Sequence, residues 1–178
     1  MGPAERTASE RAAALTIRPA APHDLPRLTN IYNHYIVETP ATFDLEPFSV
    51  AERAEWFERY AAAGRHRLVV AERDGVVLGY ASSSKFHARA AYDTTVEMTV
   101  LSAPEAVGQR IGQALYGVIF DLLRDEDLHL AVAAITLPND ASCGLHERFG
   151  FERAAVLPEA GRKFGRYWDV AWYQRRLG

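Results

Sequence analysis

Residues 94–102, TTVEMTVLS, and residues 104–116, PEAVGQRIGQALY, form the segment that decides the fold. The first run is typical of a β-strand, and the amphipathic run 113–127 that continues the second is typical of a helix. A short loop containing Gly108 therefore joins a strand to a helix N-terminus. Exposed backbone N–H groups and the helix dipole at such a junction can hold an anion. The segment predicts an anion-binding loop between a central strand and the main helix.

Further helices and strands are expected on both sides of this segment. Apolar spacing predicts helices over 23–39, 49–64, 111–127 and 139–150. Strand-like runs cover 15–19, 66–73, 76–86, 94–102, 128–136, 151–157 and 166–177, with a hairpin turn at Asp74-Gly75. The order β-α-α-β-β-β-α-β-α-β-β predicts a mixed sheet covered by helices, which is an α/β fold.

Helix boundaries have local signals of their own. Ser49 and Glu52 match the capping box S-x-x-E, which predicts where the second helix begins. Asp24 is expected as the N-cap of the first helix, and Gly64 as the C-terminal stop of the second.

The bulk composition restricts the class of protein. A length of 178 residues favours one domain, which we expect over residues 14–178 after a flexible extension at 1–13. The net charge of −3 and the absence of a basic stripe argue against a nucleic-acid partner. No apolar run approaches membrane-spanning length, and the first residues lack the apolar core of a signal peptide, so no membrane partner is expected.

Cysteine and histidine usage argues against a metal site. The lone Cys143 excludes an internal disulfide and a multi-cysteine metal site, and it fits the reducing cytoplasm. The histidines are scattered, and no two have the H-x-x-x-H spacing on one helix, so we expect no zinc site.

Glu97 is the first candidate for chemistry, because a carboxylate within a central strand is costly unless it faces water, a partner or a cleft. Strand alternation places it on one face with Thr95 and Thr99, opposite Val96 and Met98. It can be a general base at a cleft, or a solvated or paired carboxylate. The residues alone leave both interpretations open.

Two further features carry a functional and a simpler interpretation. His146 can carry a proton near neutral pH, but the residues favour a surface or capping histidine. Lys85, His87 and Arg89 can hold an anionic substrate, or can belong to a solvated loop. The aromatic run 167–174 is explained better by core and dimer-interface packing than by nucleobase stacking.

Several local patterns together resemble the GNAT N-acetyltransferase superfamily over residues 15–176, and within it the phosphinothricin acetyltransferase branch. The patterns are NHYI (33–36), ARAAYD (88–93), LPND (137–140), HERFGF (146–151) and GRKFGRYWDVAWYQ (161–174). The resemblance implies a mixed, mostly antiparallel, splayed sheet flanked by helices. It also implies acetyl-CoA as co-substrate, an amino-acid-like substrate (phosphinothricin, methionine sulfone or methionine sulfoximine), and a homodimer.

The same resemblance implies roles for single residues. Glu97 matches the general base, and His146 matches a position where many relatives carry a tyrosine acid and this branch carries histidine. Residues expected to meet the substrate's acidic groups are Lys85, Arg89 and Tyr92. Residues expected to bind the cofactor are Asn139, after the buried strand, and the backbone of Val100, Leu101 and Ser102, along which the pantetheine would lie.

The loop departs from the superfamily's Q/R-x-x-G-x-G/A pattern for the CoA pyrophosphate. The aligned residues here are Val107, Gly108, Gln109, Arg110, Ile111 and Gly112, so only the last glycine matches. Losing the central glycine matters if a positive φ is needed there. Gly108 can restore flexibility, and the Arg110 guanidinium suits a phosphate. We expect a modified loop that still binds CoA.

That departure leaves a second hypothesis open. The chain could be a catalytically weak or silent relative that binds or senses a small ligand as a dimer. Glu97 and His146 favour the enzyme, whereas the altered loop favours the sensor.

Overall fold

The computed structural model describes residues 14–178, so the predicted extension at 1–13 lies outside the described residues. Within that range the helices are α1 (Leu25–Glu38), α2 (Val50–Phe57), α3 (Ile111–Leu123) and α4 (Asp140–Arg148). The strands are β1 (Thr16–Pro19), β2 (Leu68–Arg73), β3 (Val76–Lys85), β4 (Thr95–Ser102), β5 (Leu130–Thr136), β6 (Glu152–Lys163) and β7 (Arg166–Arg176). The predicted order of elements is confirmed.

All seven described strands belong to one sheet, in the order β1-β2-β3-β4-β5-β7-β6. Every neighbouring pair is antiparallel except β4 and β5, which are parallel. Strand β4 pairs with β3 from Val96 to Ser102, but with β5 only from Thr95↔Leu130 to Glu97↔Val132. Beyond Glu97 the two strands separate. The expected mostly antiparallel, splayed sheet is confirmed.

The core packs the sheet against α3, and α1 adds Leu28 and Ile31 to the same buried cluster. Val96 and Met98 of β4 are buried and belong to the same apolar cluster as Leu115 of α3. Gly79 of β3 permits this close packing, since a Cβ there would lie 2.9 Å from Cγ2 of Ile111 and 2.7 Å from the carbonyl oxygen of Leu101. Burying each large aliphatic side chain contributes about 1.5–3 kcal/mol.

Two helix-boundary predictions are wrong. Asp24 does not cap α1, because its backbone is already helical (φ −78°, ψ −23°). Its carboxylate instead accepts the Ala21 N–H at 2.8 Å and pairs with the Arg18 guanidinium. Helix α2 ends at Phe57 rather than near Gly64, because Tyr60 bonds three residues back, to the carbonyl of Phe57.

Other local signals are correct. The Ser49–Glu52 capping box is complete. The Glu52 N–H donates to Oγ of Ser49, and the Ser49 N–H donates to the Glu52 carboxylate. The Asp74-Gly75 turn has positive φ at both residues, 52° and 75°. Strand β6 is longer than expected because its pairing with β7 continues to Lys163↔Arg166. No helix within residues 14–178 has the length and apolarity needed to cross a membrane.

Candidate active site

Two cavities meet where β4 and β5 separate. The smaller, about 650 Å³, lies against α2 and the ends of β3 and β4. The larger, about 1000 Å³, extends past the free part of β4 to the first turns of α3 and α4. Tyr32, Glu97 and Thr99 line both cavities. Two molecules bound in the two cavities would therefore meet beside the Glu97 side chain.

Glu97 projects from β4 at the last residue that pairs with β5. It is half-buried, and within residues 14–178 its carboxylate has no hydrogen-bond or ion-pair partner. Burial raises the pKa of this carboxyl group. A partly dehydrated, unpaired carboxylate at a cavity junction is suited to accept a proton. This geometry favours the general-base interpretation over a paired or solvated carboxylate.

The loop before α3 presents free backbone donors to the larger cavity. Among the described residues, the N–H groups of Gly108, Arg110, Ile111 and Gly112 have no acceptor. Helix α3 begins at Ile111, so these donors lie at the positive end of its dipole. The arrangement can bind a phosphate group.

Gln109 is the member of this loop that the structure does not bring to the cavity. Its N–H bonds to the carbonyl oxygen of Ala106 at 3.2 Å. Its side chain bonds to Arg73 at 2.9 Å and to the Glu105 carbonyl at 3.0 Å. The predicted cofactor contact of Gln109 therefore has no geometric support.

Arg110 occupies the position where a glycine is preferred. It precedes α3 with φ 59° and ψ 23°, the left-handed region, and Gly108 has φ 83°. A non-glycine residue there carries a steric cost. The Arg110 side chain is exposed and lines the larger cavity, together with Val107.

Gly112 serves close packing rather than backbone freedom. A Cβ at this position would lie 2.9 Å from Cδ2 of Leu145 and 3.5 Å from Cγ2 of Val100. The glycine therefore lets the start of α3 approach α4 and β4. This packing is kept although the rest of the loop departs from the superfamily pattern.

Residues 100–102 line the larger cavity, as predicted for the strand along which the pantetheine would lie. Because β4 has no β5 partner beyond Glu97, the strand edge that faces β5 is unpaired there. Asn139 also lines this cavity and caps α4, accepting the Ser142 N–H at 3.1 Å. The amide NH₂ of Asn139 remains available for a ligand.

His146 is almost fully buried, whereas a residue that carries protons needs access to the cavity. The residue is 3% exposed, although it touches the larger cavity. Its Nδ1 lies 2.8 Å from the carbonyl oxygen of Ser142, and its Nε2 lies 2.8 Å from the hydroxyl of Tyr116. A carbonyl only accepts, so Nδ1 carries the proton and Nε2 accepts from the tyrosine. Burial lowers the pKa of His146. The geometry supports a neutral core histidine, and its catalytic role stays a prediction.

Of the three residues expected to bind the substrate, Lys85 alone lines one of the two cavities. Lys85 lines the smaller cavity with Glu97, and its ammonium lies 3.3 Å from the Asp93 carboxylate. Arg89 and Tyr92 are exposed on the short turn before β4, and neither lines a cavity. Their part in substrate binding stays a prediction without geometric support.

Sequence reasoning missed the residues that form most of the smaller cavity. Tyr32 bonds to Asp44, and burial together with this bond raises its pKa to about 12. Arg53 and Trp56 come from α2. Their spacing is that of an ordinary amphipathic helix, so no local signal distinguishes them from packing residues.

The chain matches the model of the family described as the acetyltransferase (GNAT) family over residues 28–151. It is 52% identical over 167 residues to a phosphinothricin N-acetyltransferase of Streptomyces coelicolor, covering 93% of this chain and 98% of the relative. It is 37% identical over 162 residues to an L-methionine sulfoximine/L-methionine sulfone acetyltransferase of Pseudomonas paraeruginosa, covering 91% and 94%.

A solved structure gives the same result for the fold. The GNAT superfamily phosphinothricin acetyltransferase of Sinorhizobium meliloti, in complex with acetyl-CoA, superposes with a TM-score of 0.87 at 34% identity. The superposition covers 92% of this chain and 89% of that one. These similarities are to proteins named as enzymes, and they give no support to the hypothesis of a silent ligand sensor.

Proposed function

The chain belongs to the acetyltransferase (GNAT) family of N-acetyltransferases, and from this premise we propose its acceptor and the roles of its site residues. The acceptor is the amine of a small amino-acid-like compound of the phosphinothricin, methionine sulfone or methionine sulfoximine type, which are the compounds in the names of the relatives. The observation that carries the proposal is the unpaired Glu97 carboxylate at the junction of the two cavities.

Glu97 is proposed as the general base. An amino-acid amine arrives as an ammonium ion and cannot attack until it loses a proton. Glu97 takes this proton, directly or through a water molecule. The amine nitrogen then forms a bond to the acetyl carbon, and the bond from that carbon to the CoA sulfur breaks. CoA leaves as a thiolate and takes up the proton that the nitrogen loses as the amide forms. The unpaired edge of β4 beyond Glu97 is suited to donate an N–H to the oxygen that becomes negative.

The larger cavity is proposed to hold acetyl-CoA, which supplies the activated acetyl group. The free N–H groups of Gly108, Arg110, Ile111 and Gly112 would bind the pyrophosphate, and the Arg110 guanidinium would add a charge contact. Residues 100–102 would run beside the pantetheine, and Asn139 would contact it with its amide. The donors that are present fit an anionic, elongated ligand.

The assembly and location are also proposals. Strands β6 and β7 and the turn between them carry exposed apolar side chains, namely Val156, Leu157, Phe164 and Tyr167. This apolar surface favours a homodimer. The cytoplasm is proposed as the location because acetyl-CoA is supplied there. The acidic net charge of −3 gives no basis for a nucleic-acid partner.

The test is a continuous assay of free CoA thiol with purified protein and acetyl-CoA. The acceptors are phosphinothricin, methionine sulfone and methionine sulfoximine, with a simple aliphatic amine as the control. We expect turnover of at least one of the three amino acids and much slower turnover of the control. Equal rates for all four amines would remove the proposed acceptor class.

A further inference from the structure

Arg53 of α2 is a buried cation without an acidic partner. It is 6% exposed, and no carboxylate within residues 14–178 forms an ion pair with it. Its Nε and Nη2 atoms are fully enclosed and have no hydrogen-bond acceptor. Arginine stays charged at any ordinary pH, and a buried charge is costly unless it is paired. Such a residue needs an explanation beyond packing.

Aromatic rings hold the guanidinium in place. Its central carbon lies 3.7 Å from the ring centre of Trp56, 4.2 Å from that of Tyr32 and 5.7 Å from that of Phe48. Cation–π contacts offset part of the dehydration of the charge, but they leave its hydrogen-bonding capacity unused. Tyr32 is itself fixed by hydrogen bonds to Thr42 and Asp44. The guanidinium is therefore confined to one position before any ligand binds.

The remaining guanidinium nitrogen, Nη1, can meet a bound molecule. It is not among the enclosed atoms without a partner, and the described neighbour that offers the guanidinium a hydrogen bond is the neutral hydroxyl of Tyr80. Arg53 lines the smaller cavity, as does Glu97. One cavity therefore contains a fixed cation and an unpaired carboxylate.

The other charged residues of this cavity are already engaged. Lys85 pairs with Asp93, and Arg59 pairs with Glu55. The carboxylate of Glu52 belongs to the α2 capping box, and that of Asp44 accepts from Tyr32. Arg53 is thus the cation of the cavity whose charge is not balanced by a neighbouring carboxylate in residues 14–178.

We propose that Arg53 binds the α-carboxylate of the acceptor and makes the enzyme selective for amino acids over other amines. The proposal rests on the proposed function, because it assigns the two charges of a zwitterion to two charged residues that line one cavity. The acceptor's ammonium lies at Glu97, and its carboxylate lies at the Arg53 guanidinium. A charge-assisted hydrogen bond to a partly dehydrated arginine is among the stronger contacts that a carboxylate can make.

The test measures selectivity. The acceptors are methionine sulfone and its decarboxylated analogue 3-(methylsulfonyl)propylamine, which keeps the sulfone and the amine. Arg53→Met keeps the length and apolar contacts of the side chain and removes the charge. We expect kcat/KM for methionine sulfone to fall about 10–100-fold, the effect of one charge-assisted hydrogen bond, and that for the analogue to change less than about 3-fold.

Arg124→Met is the matched control. Arg124 is an exposed arginine at the end of α3, paired with Asp121, and it lines neither cavity. This variant should keep the wild-type preference for the amino acid. If Arg53 had only a structural role, Arg53→Met would lower kcat/KM equally for both acceptors, and this result would overturn the proposal. An unchanged kcat/KM for both acceptors would overturn it as well. If Arg53→Met does not fold, Arg53→Lys is used, and it should give a smaller loss on methionine sulfone alone.

A binding measurement separates this proposal from the proposed function. Methionine sulfone is titrated calorimetrically into the protein saturated with CoA, which has no acetyl group to transfer. Binding to wild type that is lost in Arg53→Met supports the role of Arg53 even if no acceptor is acetylated. Equal binding to both proteins, or no binding to wild type, overturns the role of Arg53 whatever the turnover assay shows.

Discussion

Glu97 is half-buried and has no ion-pair partner in residues 14–178, and burial raises the pKa of its carboxyl group. A general base acts only when deprotonated. We therefore expect kcat/KM to rise with pH through an inflection above the usual value for glutamate, about 4.3. Glu97→Gln keeps the shape of the side chain and removes its basicity, so kcat should fall about 10²–10⁴-fold and the inflection should disappear.

The control for this prediction is Glu152→Gln, which changes an exposed carboxylate on β6 outside both cavities. Its pH profile and kcat should match those of wild type. A Glu97→Gln protein that is as fast as wild type from acid to alkaline pH would contradict the assignment of the base.

Arg110 combines a strained backbone conformation with a side chain that can bind a phosphate. Its φ of 59° is unfavourable for every residue with a side chain, and glycine tolerates it. Arg110→Gly also removes the guanidinium, but it relieves about 1–2 kcal/mol of strain and lets the backbone approach the phosphate more closely, so the affinity for acetyl-CoA should stay nearly unchanged. Arg110→Ala keeps the strain and removes the guanidinium, so it should weaken binding. Calorimetric titration with acetyl-CoA measures both effects.

The comparison of these two variants decides how the loop works. Arg124 is an exposed arginine at the other end of α3 from the loop. The control variant Arg124→Ala should bind acetyl-CoA with the affinity of wild type. If both Arg110 variants keep the wild-type affinity, the guanidinium makes no contact with the cofactor, and the backbone donors alone account for binding.

Single residues differ in how well the sequence predicted their place in the two cavities. Glu97 could be found because a carboxylate in a strand breaks the apolar pattern. Arg53 could not, since an arginine on a helix is ordinary, and only tertiary packing encloses it between Tyr32 and Trp56. The role of Arg89 stays a prediction, because proximity to Glu97 in the sequence did not place its side chain in either cavity.

At the scale of elements, periodicity predicted type and order, but the ends depended on long-range contacts. The start of α2 was predictable from the local Ser49–Glu52 box. Its end was not, because residues 61–66 are organised by contacts such as the bond from Gly64 N–H to Glu126, which is 62 residues away. Such pairings have no local signature.

The junction of α3 and α4 gives a prediction about stability. His146 is buried between Tyr116 and Ser142, and burial lowers its pKa in the folded state. In the unfolded chain it protonates near its usual pKa, about 6.5. Below that pH the unfolded state binds more protons, so the free energy of unfolding falls as pH decreases; above it His146 has no such effect. His146→Gln should reduce this pH dependence.

Urea unfolding at several pH values between about 5 and 7.5, around the histidine pKa, measures this effect. At pH above this range the variant should also be less stable, by about 1–3 kcal/mol, because a buried hydrogen bond is lost. His129→Gln, at an exposed position, is the control. An unchanged pH dependence in His146→Gln would show that His146 is not held neutral. The predicted proton-carrier role further requires that this variant lose acetyl transfer while folded.

At the scale of the whole molecule, the site exists because two neighbouring strands pair for only three residues. The pairing of β4 with β5 ends at Glu97↔Val132, and the separation that follows opens the larger cavity. The sequence predicted both strands, but the last paired residue depends on register, which the apolar composition of β5 does not specify. The splayed sheet itself was predicted through the family resemblance and not through the residue pattern.

The outer edge of the sheet gives the last prediction. Strand β6 is one of the two edge strands, and its residues 152–160 are exposed, with Val156 at 40% and Leu157 at 47%. An exposed apolar edge favours pairing with another chain. We therefore expect a homodimer at micromolar concentration by light scattering, and a shift toward monomer in Val156→Lys. Val76→Lys, at a 49% exposed valine beside the β2–β3 turn, should stay dimeric. A monomeric wild type would remove the dimer, and a dimeric Val156→Lys protein would place the interface elsewhere.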